Sequence, residues 1–174
     1  MSVPAQKFRE AVFQLLYSYD VGRGDEDDMV DLIMHELAIT KKVTKEALSR
    51  VEKILKKLSE IDAMIGKTSQ SYTFERIQSV ERNVLRLGLY ELLFDDEIPP
   101  KVALAEAMRM TRKFGTKESA SFVNAILDAL YKQSLGEPVD IKQVSLSAAE
   151  LSKSEQIALE AALNPPQKPE LDDE

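Results

Sequence analysis

The chain contains no cysteine, no tryptophan and a single histidine, with six glycines and seven prolines in 174 residues. Without cysteine there are no disulfides, thiolate metal sites or cysteine nucleophiles, and His35 alone cannot form a histidine metal cluster or proton relay. Long hydrophobic runs are also missing. No stretch approaches the roughly 20 apolar residues that span a bilayer, and the amino terminus lacks the basic start and apolar run of a secretion signal. A soluble, cytoplasmic protein without membrane contact is expected. Glycine-rich phosphate loops, paired-histidine zinc motifs and nucleophile elbows are absent as well, so the reading is a non-enzyme with no catalytic residue, metal or cofactor. The acidic run Asp25 to Asp28 lacks the spaced ligands of a calcium loop and reads as a solvated helix start.

What is present is enough apolar residue, 44% of the chain, for one sizeable core, together with 30% charged residues. The formal net charge of −7 is unevenly spread: residues 136–174 hold nine acidic and three basic side chains, leaving residues 1–135 nearly balanced. The expected organisation is a folded body over 1–135 and an acidic, partly disordered tail over 136–174 with room for a short helix. Inside the body, residues 101–122 carry Lys101, Arg109, Arg112, Lys113 and Lys117 against only Glu106 and Glu118, a local basic patch.

Helical periodicity runs through nearly the whole body and no segment alternates long enough for a half-buried strand, so the fold class is all-α. The spacing predicts helices over about 4–20, 26–39 and 44–65, with Gly22 ending the first and Gly66 the third. A strongly apolar run over 74–94 is the expected central helix, closed by Ile98-Pro99-Pro100. Two further helices meet at a one-residue joint, with Gly115 expected to close the first in a left-handed conformation and Thr116 to cap the next. In the tail, Ser147 and Glu150 have capping-box spacing ahead of a helix ending before Pro165-Pro166, and the final 167–174 is expected to be disordered.

The joint Arg112-Lys113-Phe114-Gly115-Thr116-Lys117-Glu118-Ser119, followed by Phe122, combines cations, a helix amino terminus, hydroxyls and aromatics. Those parts suit single-stranded RNA: cations neutralise phosphates, free N–H groups hold phosphate oxygens, and an exposed phenylalanine stacks on an unpaired base. Composition alone favours the blander reading, with Phe114 and Phe122 as core residues and the lysines as a solvated face.

The segment ERNVLRLGLYELLFDDEIPPKVALAEAMRMTRKFGTKESASFVNAILD, residues 81–128, resembles the carboxy-terminal half of the NusB transcription antitermination family, and REAVFQLLYSYD, residues 9–20, resembles its first helix. The resemblance covers roughly residues 5–132. It implies an all-α, NusB-like fold of two small helical bundles, here with an acidic C-terminal extension. It also implies a non-catalytic factor that binds boxA-type single-stranded RNA with NusE, a small-subunit ribosomal protein, and supports the RNA polymerase elongation complex through ribosomal RNA operons. The alternative is a helical protein-interaction scaffold with weak or lost RNA binding. Carried over position by position, the RNA surface comprises Lys7, Arg9, Phe114, Gly115, Glu118, Ser119 and Phe122, with Lys113 and Lys117 added on electrostatic grounds. The partner face comprises Tyr17 and Glu81. Arg82 and Arg86, one turn apart, are expected mainly to make pairs within the chain. The family often opens with several arginines where this chain has only Lys7 and Arg9, so a weaker intrinsic RNA affinity is expected.

Overall fold

The computed structural model describes residues 4–22, 24–69 and 72–165, and the tail segment 167–174 lies outside the described residues. The described residues form an all-α fold of eight helices: α1 (Ala5–Val21), α2 (Glu26–Leu37), α3 (Lys41–Lys56), α4 (Leu58–Thr68), α5 (Ser79–Leu93), α6 (Pro100–Phe114), α7 (Lys117–Ser134) and α8 (Ile141–Leu163). Helix α1 ends where expected. Gly22 takes φ 63°, a left-handed conformation that costs glycine nothing, and its N–H closes on the Ser18 carbonyl.

Three expected boundaries move. The long third helix breaks at Lys57 (φ −104°, ψ 5°) into α3 and α4, and α4 passes through Gly66 to Thr68. The central helix starts at Ser79, because Phe74–Arg76 form a separate 3-10 turn that leads into it. The tail helix starts at Ile141 and not near Ser147: the Asp140 carboxylate accepts from the Gln143 N–H at 3.1 Å and caps it, while Ser147 lies inside the helix and is buried. Val144, Ala148 and Leu151 supply the apolar stripe that seats α8 along α7.

Two bundles share α5. Helices α1, α2 and α3 pack on one another, α6 and α8 both pack on α7, and α5 touches α1, α3, α4, α6 and α7. The sequence of α5 explains that position, since Val84, Leu85, Leu87 and Leu89 are all buried. A charged network pins the bundles together. The Asp20 carboxylate at the end of α1 accepts from Arg82 Nη2 (2.7 Å), Asn83 Nδ2 (3.1 Å) and Arg86 Nη1 (3.1 Å), and Arg86 also holds both oxygens of Asp62 on α4 at 2.8 Å. Arg82 and Arg86 thus make intrachain pairs, as expected. Burial pushes the Asp20 carboxyl up, but the hydrogen bonds from Arg82 and Asn83 and the charge of Arg86 outweigh it and hold the group below its ordinary value.

Candidate nucleic-acid and partner interface

The α6–α7 joint is the centre of the candidate site. Its turn is enforced by close approach and not by handedness: Gly115 has φ −121°, so the expected left-handed closure is corrected. A Cβ on Gly115 would lie 2.9 Å from the Thr111 carbonyl oxygen, the same oxygen that accepts the Gly115 N–H at 2.8 Å. Thr116 caps α7 as expected, its Oγ1 accepting from the Ser119 N–H at 3.1 Å. The Ser119 hydroxyl donates to Glu81 Oε1, so Thr116 must supply its own proton to the 2.9 Å contact between the two hydroxyls.

The predicted site residues divide by exposure. Lys7 and Lys117 face solvent, Lys113 is exposed over about half its side chain (53%), and Phe114, Gly115 and Glu118 are half-buried at the joint. Tyr17 is partly exposed, and the remaining four belong to the interior. Phe122 has 0% exposure, with its ring 5.2 Å from that of Tyr72, so the expected stacking on a base is corrected: in this conformation the ring is core. Arg9 is buried too, because its Nε donates to both oxygens of Glu91 at 2.7 and 3.1 Å and its Nη1 lies 3.5 Å from Glu106. Ser119 and Glu81 are buried against each other, which removes Ser119 from direct RNA contact and Glu81 from direct partner contact in this conformation. Glu81 Oε2 is buried without a hydrogen-bond partner.

Internal carboxylates also temper the basic patch. Glu10 on α1 accepts from Arg109 Nη1 at 2.7 Å and from Lys113 Nζ at 2.9 Å, and Glu106 accepts from Arg109 Nε at 2.8 Å. Burial raises the Glu10 carboxyl, yet the bonds from Arg109 and Lys113 prevail and hold it below its ordinary value. At Glu91 the balance is reversed: burial dominates the attraction of Arg9 and pushes that carboxyl up. This seam brings the start of α1 beside the end of α6, so Lys7 and Lys113 belong to one region although they are far apart in the chain.

Next to the joint runs an apolar groove of about 390 Å³ lined by Phe13, Gln14, Tyr17, Met29, Val80 and Phe114, among others. Tyr17 is 37% exposed and forms part of its wall, while the Phe114 ring sits 4.9 Å from that of Phe13. Phe114 therefore belongs both to the joint and to the groove. Sequence reasoning missed Phe13 and Val80 as groove residues and Glu10 as the counter-charge of the patch. Their helical spacing is that of ordinary core or surface positions, and only the packing of α1 against α5 and α6 distinguishes them.

Among the described residues, no helix is long and apolar enough to cross a membrane. The NusB family model matches residues 6–132. The transcription antitermination protein NusB of Chlamydia pneumoniae is 37% identical over 131 residues, which cover 75% of this chain and 82% of that protein. Among solved structures, NusB of T. maritima superposes with a TM-score of 0.65 at 34% identity, covering 76% of this chain and 94% of that one. A chain from the crystal structure of antitermination factors NusB and NusE in complex with dsRNA superposes with a TM-score of 0.62 at 28% identity, covering 74% of this chain and 96% of that one. With the eight-helix fold, the joint and these similarities in agreement, the chain belongs to the NusB family of transcription antitermination proteins.

Proposed function

We propose that this chain is a non-catalytic, cytoplasmic antitermination factor that binds boxA-type single-stranded RNA jointly with NusE and supports the RNA polymerase elongation complex through ribosomal RNA operons. The observation that carries the reading is the double membership of Phe114. It stands in the cationic joint with Lys113, Gly115, Lys117 and Glu118, and it also lines the apolar groove beside Tyr17. A protein seated in that groove would border an RNA strand on the joint, so each ligand would shape the other's site. The related structure that contains NusB, NusE and dsRNA supports RNA and NusE as the two kinds of ligand, and the single-stranded boxA form is the finer part of the proposal. On this reading Lys7, Lys113, Phe114, Lys117 and Glu118 touch RNA, Tyr17 touches the partner, and Arg9, Glu81, Ser119 and Phe122 hold those surfaces in place.

The scaffold reading, with partner binding but little RNA affinity, draws on the ion pairs that occupy Arg9, Arg109 and Lys113. One experiment separates the two. The purified chain is titrated with a boxA-like single strand and a scrambled control, with and without NusE, at two salt concentrations. Sequence-selective binding that tightens with NusE is the expected result. NusE binding with no contribution from RNA would establish the scaffold instead.

A further inference from the structure

A second groove, of about 400 Å³, lies between the first turns of α7 and the second half of α8. Its α7 wall is Lys117, Glu118 and Ser121; its α8 wall is Glu150, Lys153, Ser154 and Ile157. Lys117 and Glu118 are also residues of the joint, so the groove continues that surface without a break. The α8 wall lies beyond residue 132, where the family match ends.

Helix α8 is held in register by specific contacts. The Tyr72 hydroxyl lies 2.7 Å from both carboxylate oxygens of Glu155, and Arg76 Nη2 donates to Ser152 Oγ at 3.1 Å. The Arg76 guanidinium also sits 4.7 Å from the centre of the Tyr72 ring, and Ala148 and Leu151 are buried beneath the helix. Residues 150, 153, 154 and 157 recur at helical spacing on one flank, which this anchoring turns toward α7. The lining is chemically mixed in a way that suits a nucleic-acid strand. Two ammonium groups can meet phosphates, two hydroxyls and two carboxylates can bond base edges, and Ile157, 57% exposed, offers apolar surface to a base face.

We propose that α8 forms the second wall of the RNA track, so that a strand leaving the α6–α7 joint continues between α7 and α8 with Lys153 on its backbone and Glu150, Ser154 and Ile157 against its bases. This rests on the reading of the joint as an RNA surface. It assigns RNA contact to a helix outside the matched family region and gives the extension a part in binding.

The test uses the full chain and a short boxA-like single-stranded RNA, with affinity measured across a range of salt for the parent chain, Lys153→Gln and Lys117→Gln. Each contact to a single strand adds about −0.7 to the slope of log affinity against log salt. Both variants should flatten the slope by about that amount, with circular dichroism and melting unchanged, because both side chains are exposed. An unchanged slope for Lys153→Gln beside a flattened one for Lys117→Gln would overturn the proposal and leave the RNA reading of the joint standing. Unchanged slopes for both would overturn the two together.

Discussion

Two cationic regions of this molecule use the same residue types for opposite purposes. At the shared α5, Arg82 and Arg86 are spent on Asp20 and Asp62 and cross-link three helices. At the α6–α7 joint, Lys117 has no ion-pair partner among the described residues and Lys113, though bonded to Glu10, keeps half its side chain in solvent. The difference is made by distant carboxylates, not by local sequence. Arg9 shows this best: it belongs by position to the basic amino-terminal segment, yet Glu91, 82 residues away, converts it into a buried structural pair. A cation in this fold is available to a ligand where no internal carboxylate reaches it, as at Lys117, or where the pair leaves much of the side chain in solvent, as at Lys113.

The largest effect expected from breaking the structural side of this comparison comes from Phe122→Ala. The side chain is fully buried against Tyr72, so truncation should cost about 3–5 kcal/mol, read from urea unfolding monitored by circular dichroism. An unchanged midpoint with lost RNA binding would return Phe122 to the ligand surface. Next comes Arg86→Ala, which leaves Asp62 without its partner and takes one of three donor residues from Asp20; the expected loss is about 3 kcal/mol, at the lower end for a buried pair because Asp62 is partly exposed and Asp20 keeps Arg82 and Asn83. RNA affinity per folded molecule should not change, whereas a selective loss of affinity would place Arg86 among the contact residues.

Gly115→Ala tests the joint itself. The new Cβ would meet the Thr111 main-chain oxygen at 2.9 Å, so the last turn of α6 must shift at the joint, at about 1–3 kcal/mol by the measure of overpacked sites. RNA affinity should fall in the variant that remains folded, since Lys113 and Lys117 stand on either side of the turn. If affinity is retained, the geometry of the turn is not part of the site.

Acid provides a smaller probe of the structural network. The folded Asp20 and Glu10 carboxyls lie below their ordinary values, so the stability they contribute is complete above the unfolded carboxylate range and is lost as pH falls through their folded values. Glu91, pushed up by burial, acts with the opposite sign and favours the folded state as it takes up its proton. Asp20→Asn should therefore be less stable than the parent at neutral pH, and the gap should narrow as pH drops from about 5 to about 3. Urea midpoints at the two pH values check this, and a gap that stays constant would show that Asp20 is not the titrating group.

Much of the fold could be read from periodicity, because an apolar stripe at helical spacing reports burial directly. The end of α1 at Gly22 and the cap at Thr116 were legible for the same local reason. The break at Lys57 was not: Leu58 and Ile61 continue the stripe of α3, and no glycine or proline marks the change. Nor was the start of α8, where Asp140 competes with an equally good capping pattern at Ser147 and the packing of Val144 decides between them. At the site, residue types were legible and their exposure was not. Phe122, Ser119, Glu81 and Arg9 look in sequence like a phenylalanine, a hydroxyl and two charges near a basic patch, and only tertiary contacts turn them inward.

The smallest expected effect sharpens the comparison most. Lys7 and Arg9 stand two residues apart at the start of α1, one exposed and one in a buried pair with Glu91. Lys7→Gln should leave stability within about 0.5 kcal/mol of the parent, as exposed substitutions usually do. Its slope of log RNA affinity against log salt should nevertheless flatten by about 0.7, the share of one single-strand phosphate contact. Arg9→Gln should show the reverse pattern: destabilisation as Glu91 loses its partner, with little change in slope once binding is corrected for the folded fraction. If Arg9→Gln flattens the slope and Lys7→Gln does not, the ion pair with Glu91 opens when RNA arrives, and burial in the free protein is no guide to which cations the ligand uses.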